Sequence, residues 1–228
     1  MARIYREENE RRTDVKLSIR DRDMGSVVAD AQRAIAAQIK IPTGYNIVWT
    51  GAFENERRAE HRLAIIFPIT LLAIFFLLFI TFNSSAFATL VLLIVPYSAV
   101  GGILALPIAG LNLSVAALVG FVALFGIAIQ NSVILVSRVH ELRRTGMPTL
   151  EAIREGAASR VRPMVMTALM AMLGLLPAAI STGVGAETAR PFAVVIIGGL
   201  ITGTIMTLFL LPLLFPYFEK RARGEKTK

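Results

Sequence analysis

LAIIFPITLLAIFFLLFIT, residues 63–81, contains no charged side chain, and none follows until Arg138. A helix of about 20 apolar residues crosses the hydrocarbon core of a bilayer. Residues 63–137 are more than three times that length. Two further uncharged stretches, 163–186 and 191–218, come later. The chain therefore reads as an integral membrane protein.

The uncharged stretches divide at turn signals. TFNSS (81–85) separates a first span, about 63–81, from a second, about 86–107, and PIAGLN (107–112) separates that from a third, about 113–137. A fourth runs about 164–182 and a fifth about 191–217. Pro68, Pro96, Pro177 and Pro212 fall inside these spans. Neighbouring helices can re-satisfy the backbone groups that proline frees. Gly101, Gly102, Gly174, Gly198 and Gly199 suit close approach of one helix to another.

Charge sets the orientation. The 228 residues carry a formal net charge of +8. Five spans put the chain ends on opposite sides, and the segment 138–163 and the tail 218–228 then share a side. Those two segments hold eleven Lys/Arg, and basic segments stay inside. The expectation is a cytoplasmic C-terminus and a periplasmic N-terminus. Within 138–163, Gly146 and Pro148 stop the third helix near Arg144. Thr149 then caps a short amphipathic helix with Leu150, Glu151, Ile153 and Arg154.

Residues 1–62 carry twelve Lys/Arg and ten Asp/Glu and have no apolar run. Val15, Leu17 and Ile19 alternate as a strand does. Val28, Ala31, Ile35 and Ile39 follow with helical spacing after candidate caps Asp23 and Ser26, and YNIVWT (45–50) reads as a second strand. The expected fold is thus mainly α: a polytopic transmembrane helix bundle of about five spans, preceded by a small α+β (βαβ) piece. That piece is too small to bury a good core alone and belongs to a larger soluble domain.

One polar interruption stands out, GIAIQNSVILVSR (126–138). Gln130 lies about 10 Å from the cytoplasmic end of its span and Thr167 about 5 Å, at 1.5 Å per residue. Gly126, Gln130 and Ser137 share a stripe, and such a stripe turns away from lipid, toward helices or a water-filled path. These groups either hydrogen-bond neighbouring helices, at about 1 kcal/mol each, or line a path.

The segments GYNIVWTGAFENERRAEHRL, LSVAALVGFVALFGIAIQNSVILV, RVRPMVMTALMAMLGLLP and STGVGAETARPFA resemble, in order, the resistance–nodulation–division (RND) superfamily of efflux permeases, most closely its heavy-metal branch. The resemblance covers about residues 2–218. It implies a proton-driven antiporter of the bacterial inner membrane, assembled as a homotrimer with a periplasmic adaptor and an outer-membrane channel. It also makes residues 1–62 the end of a periplasmic porter subdomain. Only the last fifth of such a pump is matched, so the chain looks like a C-terminal fragment or split-gene partner whose N-terminal half, with the proton-carrying carboxylates, lies elsewhere. By the same resemblance Gln130, Asn131 and Thr167 face those carboxylates, and Arg160 responds to their protonation. Some relatives carry a charged residue near Gln130. A neutral amide cannot carry a proton and only orients a carboxylate or water, so these residues are expected to be a passive wall.

The remaining chemistry is sparse. Cysteine is absent, and the two histidines, His61 and His140, lie outside the apolar runs. No cofactor and no metal site is expected. Met164, Met166, Met170 and Met172 suit soft metals by type, but their spacing favours flexible packing. Copper and silver exporters of the resembled family tend to pass metal along methionines, and with no such chain here the resemblance implies zinc, cobalt, cadmium or nickel as cargo. No catalytic set forms, and the basic residues sort by membrane side instead of forming a nucleic-acid surface. Two rivals stand beside the pump reading: a non-transporting assembly or regulatory fragment, and a pump for drugs or other amphiphiles. The uncharged spans hold no proton carrier, so this chain alone is expected to transport nothing.

Overall fold

The computed structural model describes residues 5–7, 10–12, 15, 24–42, 44–183 and 185–225. They fall into two units, Met1–Glu54 and Asn55–Lys228.

In the first unit, β1 (Tyr5–Glu7) and β2 (Glu10–Arg12) pair antiparallel, and α1 covers Met24–Gln38. Three of the four expected stripe positions fall in α1, with Val28 buried and Ala31 and Ile35 half-buried, whereas Ile39 lies beyond the end of the helix and is exposed. Among the described residues the expected βαβ arrangement is not found. Residues 45–50 form no strand, because a strand exists only against a partner and none lies beside them among the described residues. Tyr45 and Val48 stand 72% and 74% exposed. Of the other expected strand only Val15 is described, exposed and unpaired in any ladder; Leu17, Ile19 and the candidate cap Asp23 lie outside the described residues. Ser26 sits inside α1, past its first residue.

The second unit is built from α2 (Ala52–Phe82), α3 (Ser85–Ile108), α4 (Val115–Arg144), α5 (Thr149–Ile180) and α6 (Ala186–Glu225). All five are long and apolar enough to cross a membrane. The expected spans 63–81, 86–107 and 191–217 lie inside α2, α3 and α6, whereas the third begins ahead of α4 and the fourth runs past the end of α5. Asn83 turns the chain between α2 and α3 with φ 48°, and Gly146 ends α4 with φ 91°. That conformation costs a side chain with Cβ more than it costs glycine.

The separate amphipathic helix expected after Thr149 is instead the first half of α5, continuous through Pro163. Nor does Thr149 cap it: Pro148 holds the N-cap position, without a side-chain bond. Proline removes one backbone hydrogen bond, but packing on α4 keeps both halves in line. Ala152, Ile153 and Gly156 are buried there, and a Cβ on Gly156 would lie 2.8 Å from a Val139 methyl.

Helices α3, α4 and α6 form the centre. Phe87, Leu90, Ile94, Leu135, Val136, Leu211 and Phe215 fill one end. Leu106, Phe121, Leu124, Val195 and Leu200 fill the other. The α3–α6 crossing is close because glycines meet there: a Cβ on Gly198 would fall 2.6 Å from the Gly101 carbonyl oxygen. Of the five glycines expected at contacts, Gly101, Gly102, Gly198 and Gly199 meet neighbours, whereas Gly174 faces open space. The hydroxyls of three buried residues are satisfied within their own helices, Ser98 donating to Val95 at 2.7 Å, Ser132 to Ala128 at 2.8 Å and Thr207 to Gly203 at 2.8 Å, whereas the shielded Thr204 hydroxyl meets no partner among the described residues.

Candidate functional site

Successive residues of a helix point about 100° apart, so Gln130, Asn131 and Ser132 have three different surroundings. Ser132 is fully buried against the core, Asn131 is half-buried at the edge, and Gln130 is exposed. Gln130 belongs to a continuous open stripe of α4 with Val119, Val122, Gly126, Ile134 and Ser137, all exposed. Nothing lies within 4 Å of where a Gly126 Cβ would stand. The polar stripe therefore faces away from the other helices of this chain.

On α5, Thr167 is also exposed, and its hydroxyl donates to the Pro163 carbonyl at 2.9 Å. Arg160 lies on the inward-facing row with Ile153, Gly156 and Met164 and is half-buried. Its Nε is shielded from solvent without a hydrogen-bond partner among the described residues. An unpaired buried N–H costs about 1–3 kcal/mol, more for a charged group, so this position favours an added acceptor. Among the described residues no hydrogen bond joins Gln130, Asn131, Thr167 and Arg160 to one another. Gln130 and Thr167 are exposed on α4 and α5, Asn131 lies at the edge and Arg160 on the inward row, so the four form no closed cluster. No group of three His, Cys, Asp or Glu gathers as a metal site among the described residues. The methionines divide: Met164 is buried and Met172 half-buried, while Met166 and Met170 face outward.

Three features of the helix ends escaped the sequence reading. The His140 ring stands edge-on to Phe87 with centroids 4.4 Å apart, with Phe82 and Phe215 each at 5.8 Å. This gathers α2, α3, α4 and α6 at one end. At the same end Arg143 pairs with Glu219 at 3.2 Å and donates to the Met147 carbonyl at 2.6 Å. At the opposite end Arg190 donates to the Ala109 carbonyl at 3.3 Å, a cation at the negative end of α3. The Arg143–Glu219 and Arg190–Ala109 partners lie 76 and 81 residues apart, and no local pattern announces them; the one available signal was the isolation of Arg190 and Glu219 beside long uncharged runs.

A bundle of five membrane-length helices with neutral polar residues on an open flank defines a polytopic membrane protein whose flank has room for further helices. The model of the AcrB/AcrD/AcrF family matches residues 1–219, and the chain belongs to that family, in its heavy-metal efflux RND branch. The cobalt-zinc-cadmium resistance protein CzcA of Cupriavidus metallidurans is 45% identical over 212 residues, which is 93% of this chain and 20% of that protein. The cation efflux system protein CusA of Escherichia coli is 37% identical over 222 residues, 92% of this chain and 21% of the other. A crystal structure of a heavy metal efflux pump superposes with TM-score 0.73 at 40% identity, over 89% of this chain and 20% of that one. These relatives are named for efflux and resistance, not for an enzymatic reaction. The chain spans about a fifth of their length.

Proposed function

We propose that this chain serves as part of a proton-driven inner-membrane permease exporting divalent heavy-metal cations, with its open flank on α4 and α5 receiving helices from the rest of the pump. The observation that carries this reading is the exposed stripe Gly126, Gln130, Ser137 on an otherwise apolar helix, where lipid would leave an amide unsatisfied. The uncharged spans hold no Asp, Glu, Lys or His. Titrating carboxylates are therefore supplied by another part of the pump. Gln130, Asn131 and Thr167 form the neutral wall that orients them and their water, and Arg160, with its unpaired Nε, responds as they gain and lose protons.

In the same reading, residues 1–62 complete a periplasmic porter subdomain, and the segments 138–163 and 218–228 lie in the cytoplasm. The working assembly is a homotrimer with a periplasmic adaptor and an outer-membrane channel, and this chain alone transports nothing. The names of its relatives support metal cargo, whereas drug or amphiphile export would need other porter loops.

The test is to replace Gln130 and Asn131 by leucine in the assembled pump and measure metal export driven by an imposed proton gradient. Proton-coupled export is expected to fall at least ten-fold while the protein still inserts and assembles. Unchanged export would reduce the stripe to packing. Reporter fusions after residue 228 address orientation, and an external tail would overturn that assignment.

A further inference from the structure

The outer edge of α6 carries a pattern that the pump reading does not use. Phe209, Leu213 and Tyr217, four residues apart, are 73%, 74% and 64% exposed, and one turn further on Lys220 and Arg221 are exposed as well. From Phe209 to Tyr217 the stripe is about 12 Å long, within the roughly 15 Å depth of one leaflet's hydrocarbon. It is apolar through the depth where acyl chains lie, ends in a phenol at headgroup level, and then presents two cations. The neighbouring acid, Glu219, does not offset them. Its side chain is 16% exposed, points inward, and pairs with Arg143 at 3.2 Å. Arg138, another basic residue near this end of α4, is paired with Glu141 at 2.7 Å, while Arg144 in the last turn of α4 is exposed. The ion pairs formed inside the chain thus leave Lys220 and Arg221 free to meet charge from outside.

We propose that Tyr217, Lys220 and Arg221 bind the headgroup of one anionic phospholipid, with its acyl chain along Leu213 and Phe209. The two cations receive the phosphate, the Tyr217 hydroxyl donates to a phosphate or glycerol oxygen, and the ladder of exposed side chains fills the space beside the tail. The inference rests on charge and shape at α6 and stands whether or not the chain belongs to a proton-coupled pump.

Native mass spectrometry of the full chain, released from nanodiscs of equal phosphatidylglycerol and phosphatidylcholine, reads the site directly. Each cation near an anionic surface contributes about a five-fold gain in association. The variant Lys220→Gln/Arg221→Gln is expected to hold the most tightly retained phosphatidylglycerol about thirty-fold more weakly, with phosphatidylcholine retention unchanged. Equal retention of phosphatidylglycerol by variant and wild type overturns the proposal. The competing occupant is a protein segment. A fluorophore on Leu213→Cys, in the assembled pump, is expected to be quenched by spin-labelled phosphatidylglycerol; a fluorophore shielded from that lipid overturns the proposal equally.

Discussion

Helices α3 and α5 are both apolar enough to span a bilayer, yet 44% of the most apolar window of α3 is buried and only 11% of that of α5. Hydrophobicity does not distinguish them; small residues matched across an interface do. In lipid there is little hydrophobic gain from pairing helices, so association relies on close packing and hydrogen bonds. On α3, Ser98, Gly101, Gly102 and Ala105 meet Val195, Gly198, Thr202 and Gly203 of α6 or Phe121 of α4. On α5, Gly174 has the same chemistry and meets nothing. The same contrast divides α4, whose Gly120 is closed by Phe192 and whose Gly126 stands open. Within the spans, a glycine met by a neighbour belongs to the fold of this chain, whereas Gly126 and Gly174 lie on faces that this chain leaves open.

Glycine substitutions test that division most severely. Gly198→Leu places side-chain atoms where the Gly101 carbonyl and the Ala105 methyl already stand. Overpacking costs about 1–3 kcal/mol and sometimes more, and with backbone as the obstacle the upper end is expected, read as a lowered unfolding midpoint in mild detergent. Gly126→Leu is expected to leave that midpoint within about 0.5 kcal/mol, because its Cβ meets nothing. In the assembled pump, however, Gly126→Leu should hinder docking of the neighbouring helix and lower export. If both variants destabilised the isolated chain equally, the contrast between met and unmet glycines would fail.

Arg143→Ala tests the end where four helices gather. It removes the pair with Glu219 and the bond to the Met147 carbonyl and leaves a carboxylate in a half-buried place. Measured contributions of hydrogen bonds to charged groups run about 1.5–3 kcal/mol, and partial exposure discounts this toward about 1 kcal/mol. Arg138→Ala, which loses only a pair to Glu141 three residues away, is expected to cost less than half as much. Unfolding midpoints of the two variants in the same detergent compare them directly; equal costs would show that the tie between α4 and α6 contributes nothing beyond a local surface pair.

The sequence made the membrane spans legible for a plain reason: lipid tolerates no unpaired charge, so the edges of uncharged runs mark where helices can leave the bilayer. It did not show where helices end, since α5 continues backwards from its apolar run through Pro163 to Thr149, held by the contact of Gly156 with Val139. Nor did it show that YNIVWT would lack a ladder, because strand-forming residues predict a preference and not the presence of a partner. At the candidate site the stripe Gly126, Gln130, Ser137 was readable from spacing, but the inward turn of Ser132 was not. Gln130 and Ser132, two residues apart and both polar, look alike in a sequence but lie about 200° apart around the helix. Arg160 was chosen by resemblance; that its Nε is buried without a partner depends on how α5 leans on its neighbours.

Thr202 offers the finest test of why α3 and α6 hold together. Its hydroxyl lies 3.3 Å from the Ser98 carbonyl on α3 and 3.2 Å from the Gly199 carbonyl on its own helix. The hydroxyl thus has an acceptor at home even when the helices part, and the interhelical share of its bonding is small. Polar contacts between membrane helices average about 0.6 kcal/mol, and Thr202→Val, which keeps the branched shape, is expected to cost no more than that. Thr202→Leu crowds the Gly101 side and is expected to cost more, since it opposes packing and not merely one bond. A valine variant as damaging as the leucine variant would mean that the hydroxyl, and not the glycine-lined closeness around it, joins the two helices, and the difference between closed and open faces would then rest on hydrogen bonding.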